Sequence, residues 1–394
     1  MAMRKGRKPL GIYVHVPFCK SKCAYCDFYS LPGQTNRTAS QYVKAVCRHM
    51  EEAGALSPDH TVDTVYFGGG TPSLLGGEAL TTMMASIRKH FDVSDDAEIT
   101  CECNPDSVTD SLLRRLRGEG FNRISLGVQS DDDEMLQRLG RPHTFDQAVT
   151  AVEKIRKKGF RNLSVDLMYG LPGQTLEQWT ATLEHVLGTL KPQHISCYGL
   201  RIEEGTPLWE IRKSPEIPDE DTQADMYMEM VRILRNYGFS QYEISNFCRR
   251  GFHSRHNLRY WEGGEYYGFG PDASSDFGGK RFKCVRSLPD YISGILQGGQ
   301  VLEQVQEMFP RDRACEYLML RLRTTAGIDR ADYETSFRLS FDPIEVYLRQ
   351  CAQRGTAMQR QDGRWRLTAS GFLISNTILS DILLIQERSE SLGG

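Results

Sequence analysis

Gly11-Ile12-Tyr13-Val14-His15-Val16, followed by Pro17-Phe18-Cys19-Lys20-Ser21-Lys22-Cys23-Ala24-Tyr25-Cys26-Asp27-Phe28, decides how the chain is read. In the first six residues Ile12, Val14 and Val16 fall on one face and Tyr13 and His15 on the other, the period of a strand. The loop leaving that strand carries three thiols spaced C-x3-C-x2-C. Three thiolates so close in sequence can converge on one metal centre without a long loop closure. Soft sulfur ligands suit zinc or an iron–sulfur cluster. Structural zinc takes four protein ligands, and the nearest further donor, His15, lies inside the strand. A 4Fe-4S cube held by three thiolates leaves one iron open to chelate a substrate. The spacing therefore predicts Cys19, Cys23 and Cys26 as ligands of an open 4Fe-4S cluster, with zinc well behind.

Outward from the loop, strand patterns recur at 11–16, 63–67, 98–102, 122–129, 163–168 and 194–200. Helical patterns fall between them, near 40–53, 78–91, 109–117, 144–158 and 176–190. Thr175 and Gln178 have the spacing of a capping box. Strands alternating with helices imply a parallel sheet with right-handed crossovers.

The strand faces refine this. Ser125, Gly127 and Gln129 oppose Ile124, Leu126 and Val128; Ser164, Asp166 and Met168 oppose Val165 and Leu167; His194, Ser196 and Tyr198 oppose Ile195 and Cys197. A closed eight-stranded barrel fills its interior with branched aliphatics. Here the interior face is polar, which is costly unless ligand or water satisfies it. The expected fold is α/β: an open, partial (β/α)6 TIM-like barrel around a polar ligand, with a smaller α+β C-terminal domain. A doubly wound sheet is the alternative.

The composition agrees with an intracellular reading. The 394 residues hold 48 basic and 51 acidic side chains, a net charge of -3 that argues against a general nucleic-acid partner. No apolar run approaches the ~18 residues of a membrane span. The basic start, residues 1–10, lacks the apolar stretch of a secretory signal. Eleven cysteines, an odd number, then suggest a reducing compartment. The expected location is cytoplasmic, with transient contact at the membrane surface.

Beyond about Arg201 the alternation stops. A Pro- and acid-rich connector, 214–221, leads into a Met-rich helix, 222–237. An aromatic, Gly-rich stretch, 238–279, reads as turns and short strands. Helices return from about Arg311, with a short strand at 364–369 and a frayed tail at 389–394. The expected units are a barrel at 1–216, a connecting and ligand-contact region at 217–305 and a helical domain at 306–394.

The opening motif resembles that of the radical S-adenosylmethionine (SAM) superfamily, and more narrowly its oxygen-independent coproporphyrinogen III oxidase branch. The resemblance implies an open iron that chelates SAM, and an electron that cleaves it to a deoxyadenosyl radical. It continues through Gly68-Gly69-Gly70-Thr71-Pro72, Glu102-Cys103-Asn104-Pro105, Gly127-Val128-Gln129-Ser130, Leu139-Gly140-Arg141-Pro142 and Asp166-Leu167-Met168-Tyr169-Gly170. By resemblance Tyr13, Tyr25, Gly69, Gly70, Thr71, Glu102, Gln129, Arg141 and Asp166 contact SAM. Their polarity fits: arginine for a carboxylate, acids and amides for amino and ribose groups. Cys101, Cys103, Cys47, Cys197, Cys248, Cys284, Cys315 and Cys351 read as small packing residues. Gly170–Thr175 reads as a strand-to-helix turn.

Two departures separate the chain from the oxidase members. Those carry a fourth cysteine two residues after the third, where Phe28 stands here, and a long segment before the first strand. Both departures match the branch's heme-chaperone subgroup, as does His256-Asn257-Leu258-Arg259-Tyr260-Trp261, which resembles that subgroup's H-N-x-x-Y-W motif. The resemblance implies a protein that binds the cluster, SAM and heme, and delivers heme to acceptor hemoproteins, membrane-bound respiratory enzymes among the candidates. His256 is the expected iron ligand, with His253 competing. Tyr260 and Trp261 offer flat faces, and Arg249, Arg250, Arg255 and Arg259 offer partners for propionates. Radical decarboxylation of coproporphyrinogen III, or a radical methyl transfer, are the other readings.

Overall fold

The computed structural model describes residues 6–388. The expected tail at 389–394 and the first five residues of the basic start lie outside the described residues. Six parallel strands form the barrel wall: β1 (Lys8–Val16), β2 (His60–Gly69), β3 (Val93–Cys103), β4 (Arg123–Gln129), β5 (Asn162–Tyr169) and β6 (His194–Gly199). Each is followed or preceded by a helix packed on the outer face: α1 (Asn36–Ala55), α2 (Gly77–His90), α3 (Asp110–Gly118), α4 (Phe145–Lys157) and α5 (Leu176–Leu190). Ile12, Val14, Val65, Phe67, Ile124, Leu126, Val165 and Leu167 are completely buried beneath these helices. Full burial of each Val, Leu, Ile or Phe contributes roughly 1.5–3 kcal/mol. The capping box at Thr175 and Gln178 is formed, and Thr144 with Gln147 forms a second at the start of α4.

The sheet runs further than six strands. After α6 (Glu220–Asn236) come β7 (Ser240–Gln241), β8 (Asn246–Cys248), the short helix α7 (Arg255–Trp261), β9 (Tyr266–Phe269), β10 (Ser274–Phe277) and β11 (Lys280–Cys284). Helix α8 (Leu288–Gln297) and β12 (Leu302–Glu307) follow. All join one twelve-stranded sheet in the order β12-β11-β10-β9-β1-β2-β3-β4-β5-β6-β8-β7. β9 lies parallel on the free edge of β1, pairing Gly11 with Tyr266 and Val14 with Phe269. β8 caps β6 in the antiparallel sense. The segment expected as a separate connecting unit at 217–305 therefore extends the barrel sheet at both ends. The reason is pairing across more than 250 residues of chain, which no local pattern announces.

The remaining chain packs α9 (Pro310–Arg321), α10 (Arg330–Phe337), α11 (Asp342–Gln353) and α12 (Ser375–Glu387) around a two-stranded hairpin, β13 (Ala357–Gln359) with β14 (Trp365–Leu367). Among the described residues no helix is long and apolar enough to cross a membrane.

α7 corrects the expectation of turns across 238–279. Ser254 caps its first turn by accepting from the Asn257 amide, a local signal. The second cap is distant: Glu98 on β3 accepts from the backbone amides of Arg255 and His256, both at 3.1 Å.

Candidate cofactor-binding cavity

A cavity of about 460 Å³ opens at the carboxyl ends of the barrel strands, the edge where parallel α/β folds bind ligands. Eleven of the twelve expected cluster and SAM residues line it: the three loop cysteines, Tyr25, Gly69, Gly70, Thr71, Glu102, Gln129, Arg141 and Asp166. Tyr13 does not. Its hydroxyl meets His15 Nδ1 at 3.1 Å inside the barrel, and its ring lies 6.2 Å from that of Tyr66. Alternation put Tyr13 on the inner face correctly, but its place midway along β1 holds it away from the cavity.

The cysteine loop and the glycine loop are held against each other. Gly70 and Thr71 amides donate to the carbonyls of Val16 and Phe18 at 2.8 and 2.7 Å. Cys19 Sγ sits 3.6 Å from Thr71 Oγ1. A Cβ on Gly70 would come within 2.6 Å of Phe18 O and 3.0 Å of Cys19 Sγ, so this close approach requires glycine. Gly69, at φ 111°, donates its amide to Glu102 Oε2 at 3.1 Å. Burial raises the Cys19 and Cys26 thiols above their ordinary pKa. His15 supplies no fourth ligand: its Nε2 donates to the Tyr29 carbonyl at 2.8 Å, leaving Nδ1 to accept from Tyr13. Among the described residues no His, Cys, Asp and Glu group of three gathers as a single metal ion needs. In a cluster each thiolate binds a different iron, so no such convergence is required.

The cavity wall carries charge. Arg141 Nη2 donates to Asn104 Oδ1 at 2.8 Å and Gly127 O at 2.7 Å, and its buried Nε has no partner. The Tyr66 hydroxyl donates to Glu102 Oε1 at 2.7 Å. Burial, with the Asp166 carboxylate nearby, pushes Glu102 up to about 7 against those hydrogen bonds. Burial also raises Asp166, opposed by bonds from Ser196, Ser125 and Ser164 and by the charge of Arg123. Gln129 sits at φ 68° beside a register shift between β4 and β5. A non-glycine residue in that region stores backbone strain, a mark of functional sites.

Sequence reasoning missed Arg123, which is 1% exposed, lines the cavity and leaves Nε and Nη1 without partners. The signal was available: Arg123 continues the inward series of Ser125 and Gly127. Tyr66, on β2, was missed in the same way, and Asn257 was read only as part of the H-N-x-x-Y-W motif. Cys101 and Cys103, expected as packing residues, are both buried, and Cys103 also borders the cavity.

The expected heme ligand takes a different position. His256 is fully buried inside the barrel, with Nδ1 3.0 Å from Thr64 Oγ1 and Nε2 2.7 Å from the Tyr260 hydroxyl. Burial, reinforced by Arg259 and Arg123, lowers its pKa to about 3. Both ring nitrogens are engaged, so His256 presents no open lone pair to a heme. Arg259 is buried in an ion pair with Asp63, and Arg255 is tied to Asp63 and the Asp96 carbonyl. Tyr260 is bonded to His256 through its hydroxyl, and its ring meets those of His256 and Tyr266 edge to face. His253 is only half-buried, edge-on to Tyr242, and its ring has no hydrogen bond among the described residues.

A partial barrel, a glycine loop seated on a three-cysteine loop, and a charged cavity beneath them define a radical SAM protein. The Radical SAM superfamily profile matches residues 13–186, and the HemN C-terminal domain profile matches 309–374. The chain is 34% identical to the heme chaperone HemW of Lactococcus lactis, over 96% of this chain and 98% of the relative. It is 33% identical to HemW of Bacillus subtilis, over 94% and 98%, and 33% identical to that of Escherichia coli, over 94% and 97%. The chain belongs to the HemW family. The solved structure of E. coli coproporphyrinogen III oxidase, HemN, shares the fold at a TM-score of 0.83 and 24% identity, covering 98% of this chain and 91% of that one. Membership of the superfamily implies a 4Fe-4S cluster and SAM.

Proposed function

We propose that the chain is a heme chaperone: it binds a 4Fe-4S cluster, SAM and heme, and passes heme to acceptor hemoproteins. The convergence of eleven expected residues on one cavity is the observation that carries the cofactor part of this reading. The near full-length likeness to HemW relatives supports the heme part.

Cys19, Cys23 and Cys26 would hold the cluster, which supplies an electron for cleaving the sulfonium of SAM. The remaining roles belong to the protein. Arg141, with its unpartnered Nε, receives the SAM carboxylate. Glu102, Gln129 and Asp166 accept from amino and ribose groups. Gly70 lets backbone and thiol approach without a side chain between them. Phe28 stands at the cavity mouth, 69% exposed, where the oxidase branch carries its fourth cysteine.

For heme, His253 is the imidazole whose ring stays open. Burial lowers its pKa, so it is neutral at pH 7 and keeps a lone pair for iron. Arg250, exposed beside it, is available to a propionate. The test is transfer: reconstituted, heme-loaded protein is mixed with the apo form of a b-type cytochrome, with and without SAM. Faster loading than from free heme supports the reading; loading no faster than from free heme contradicts it.

A further inference from the structure

The H-N-x-x-Y-W helix, α7, borders the cavity and buries His256 and Arg259. Glu98 and Glu102 sit four residues apart on the same face of β3. Glu98 accepts from the first two amides of α7, while Glu102 accepts from Gly69 on the glycine loop. Asn257 of α7 reaches the cavity lining. Arg259 anchors the helix to Asp63 and to Thr64, both on β2.

His256 is the centre of this arrangement. Its ring stacks on that of Tyr66 at 5.3 Å with 23° between planes, and faces Tyr13 at 6.4 Å. The hydrogen bonds to Thr64 and Tyr260 fix the imidazole from both ends. The Tyr66 ring is thereby held so that its hydroxyl points at Glu102 Oε1, 2.7 Å away. Glu102, held by Tyr66 on one oxygen and Gly69 on the other, presents its remaining lone pairs to the cavity. A buried carboxyl without such partners would swing or stay protonated.

We propose that His256 is a positioning residue for the SAM site, acting through the Tyr66 ring on Glu102. It follows that the H-N-x-x-Y-W helix borders the SAM cavity and does not supply the heme ligand. The inference rests on the reading of the cavity as the SAM site. It extends that reading by joining a motif far along the chain to Glu102.

The experiment measures SAM affinity, the SAM-induced change in the electron paramagnetic resonance spectrum of the reduced cluster, and heme affinity. The proteins are anaerobically reconstituted wild type, His256→Gln, Tyr66→Phe and the double variant. Wild-type protein that assembles its cluster yet binds no SAM overturns the cavity reading itself, before any variant is compared. Otherwise each single variant is expected to weaken SAM binding roughly tenfold, the size of one lost hydrogen bond to a charged group. The double variant should be no weaker than the worse single one, because both act on one contact. Both should blunt the SAM-induced spectral change while heme affinity stays at the wild-type value. Tyr66→Phe keeps the ring and removes one oxygen, so it gives a result even if substitution at 256 disturbs the fold. Unchanged SAM affinity in Tyr66→Phe, additive losses in the double variant, or loss of heme with SAM binding intact overturns the inference.

Discussion

Arg141 Nη1 lies 3.6 Å from Cys23 Sγ, while its Nη2 donates to Asn104, whose amide in turn reaches Thr71 Oγ1 at 3.3 Å. One guanidinium thus borders both the cysteine loop and the space left for SAM. Removing it leaves a carboxylate without its charged partner, worth about 1.5–3 kcal/mol, or roughly ten- to a hundredfold in affinity. Arg141→Ala should lose SAM affinity by that factor in equilibrium binding to reconstituted protein while retaining its iron. Unaltered SAM affinity would remove Arg141 from the site.

Each of the three thiols holds a separate corner of the cluster in this account. Alanine at Cys19, Cys23 or Cys26 should remove most iron and acid-labile sulfide after anaerobic reconstitution. Cys101→Ala, in the core on the outer face of β3, should keep both. Stoichiometric zinc without sulfide in the wild type would decide against the cluster.

Gly70→Ala tests the seating of one loop on the other. The added methyl would stand 2.6 Å from Phe18 O and 2.9 Å from Val16 O, contacts with backbone that cannot swing aside. The expected result is a lowered melting temperature, by a few degrees per kcal/mol for a chain of this size, together with poor cluster retention. Wild-type stability and iron content would show that the loops tolerate separation.

The raised pKa of Glu102 makes a stability prediction whose sign is fixed. In the unfolded chain the carboxyl titrates near ~4.3, and in the folded protein at about 7. Between those values the folded state holds the extra proton, so this group's contribution is full below the lower value. It is lost as pH rises through the upper one. Glu102→Gln should therefore flatten the decline in stability of the cofactor-free protein between pH 5 and 8, by on the order of a few kcal/mol. Parallel denaturation curves for both proteins across that range would refute it.

Heme binding separates two histidines. His253→Ala should change the heme absorption spectrum and weaken binding, with cluster iron unaffected. If heme meets His253→Ala with the wild-type spectrum and affinity, the iron ligand lies elsewhere.

Much of this was legible in the sequence, because the barrel is built from local patterns. Period-two alternation placed Ser125, Asp166 and Ser196 on one inner face, and the structure puts all three around the cavity. The motif resemblance located Gly69 to Thr71 and Arg141, which line one cavity although they are some 70 residues apart in sequence. What escaped was set by distant partners. Residues 255–261 read as turns because their second helix cap, Glu98, lies on β3. His256 read as an iron ligand because Thr64, Tyr66 and Tyr13, which enclose it, come from strands almost 200 residues or more upstream. Tyr13 was placed on the right face at the wrong depth, since alternation gives direction but not height along the barrel.

The most direct test of the central claim offers the anaerobically reconstituted protein, with SAM and a reductant, either heme or coproporphyrinogen III. The account predicts tight, saturable heme binding with a shifted absorption band and no decarboxylated product from the porphyrinogen. Conversion of its propionates to vinyl groups by a protein that binds no heme would contradict it.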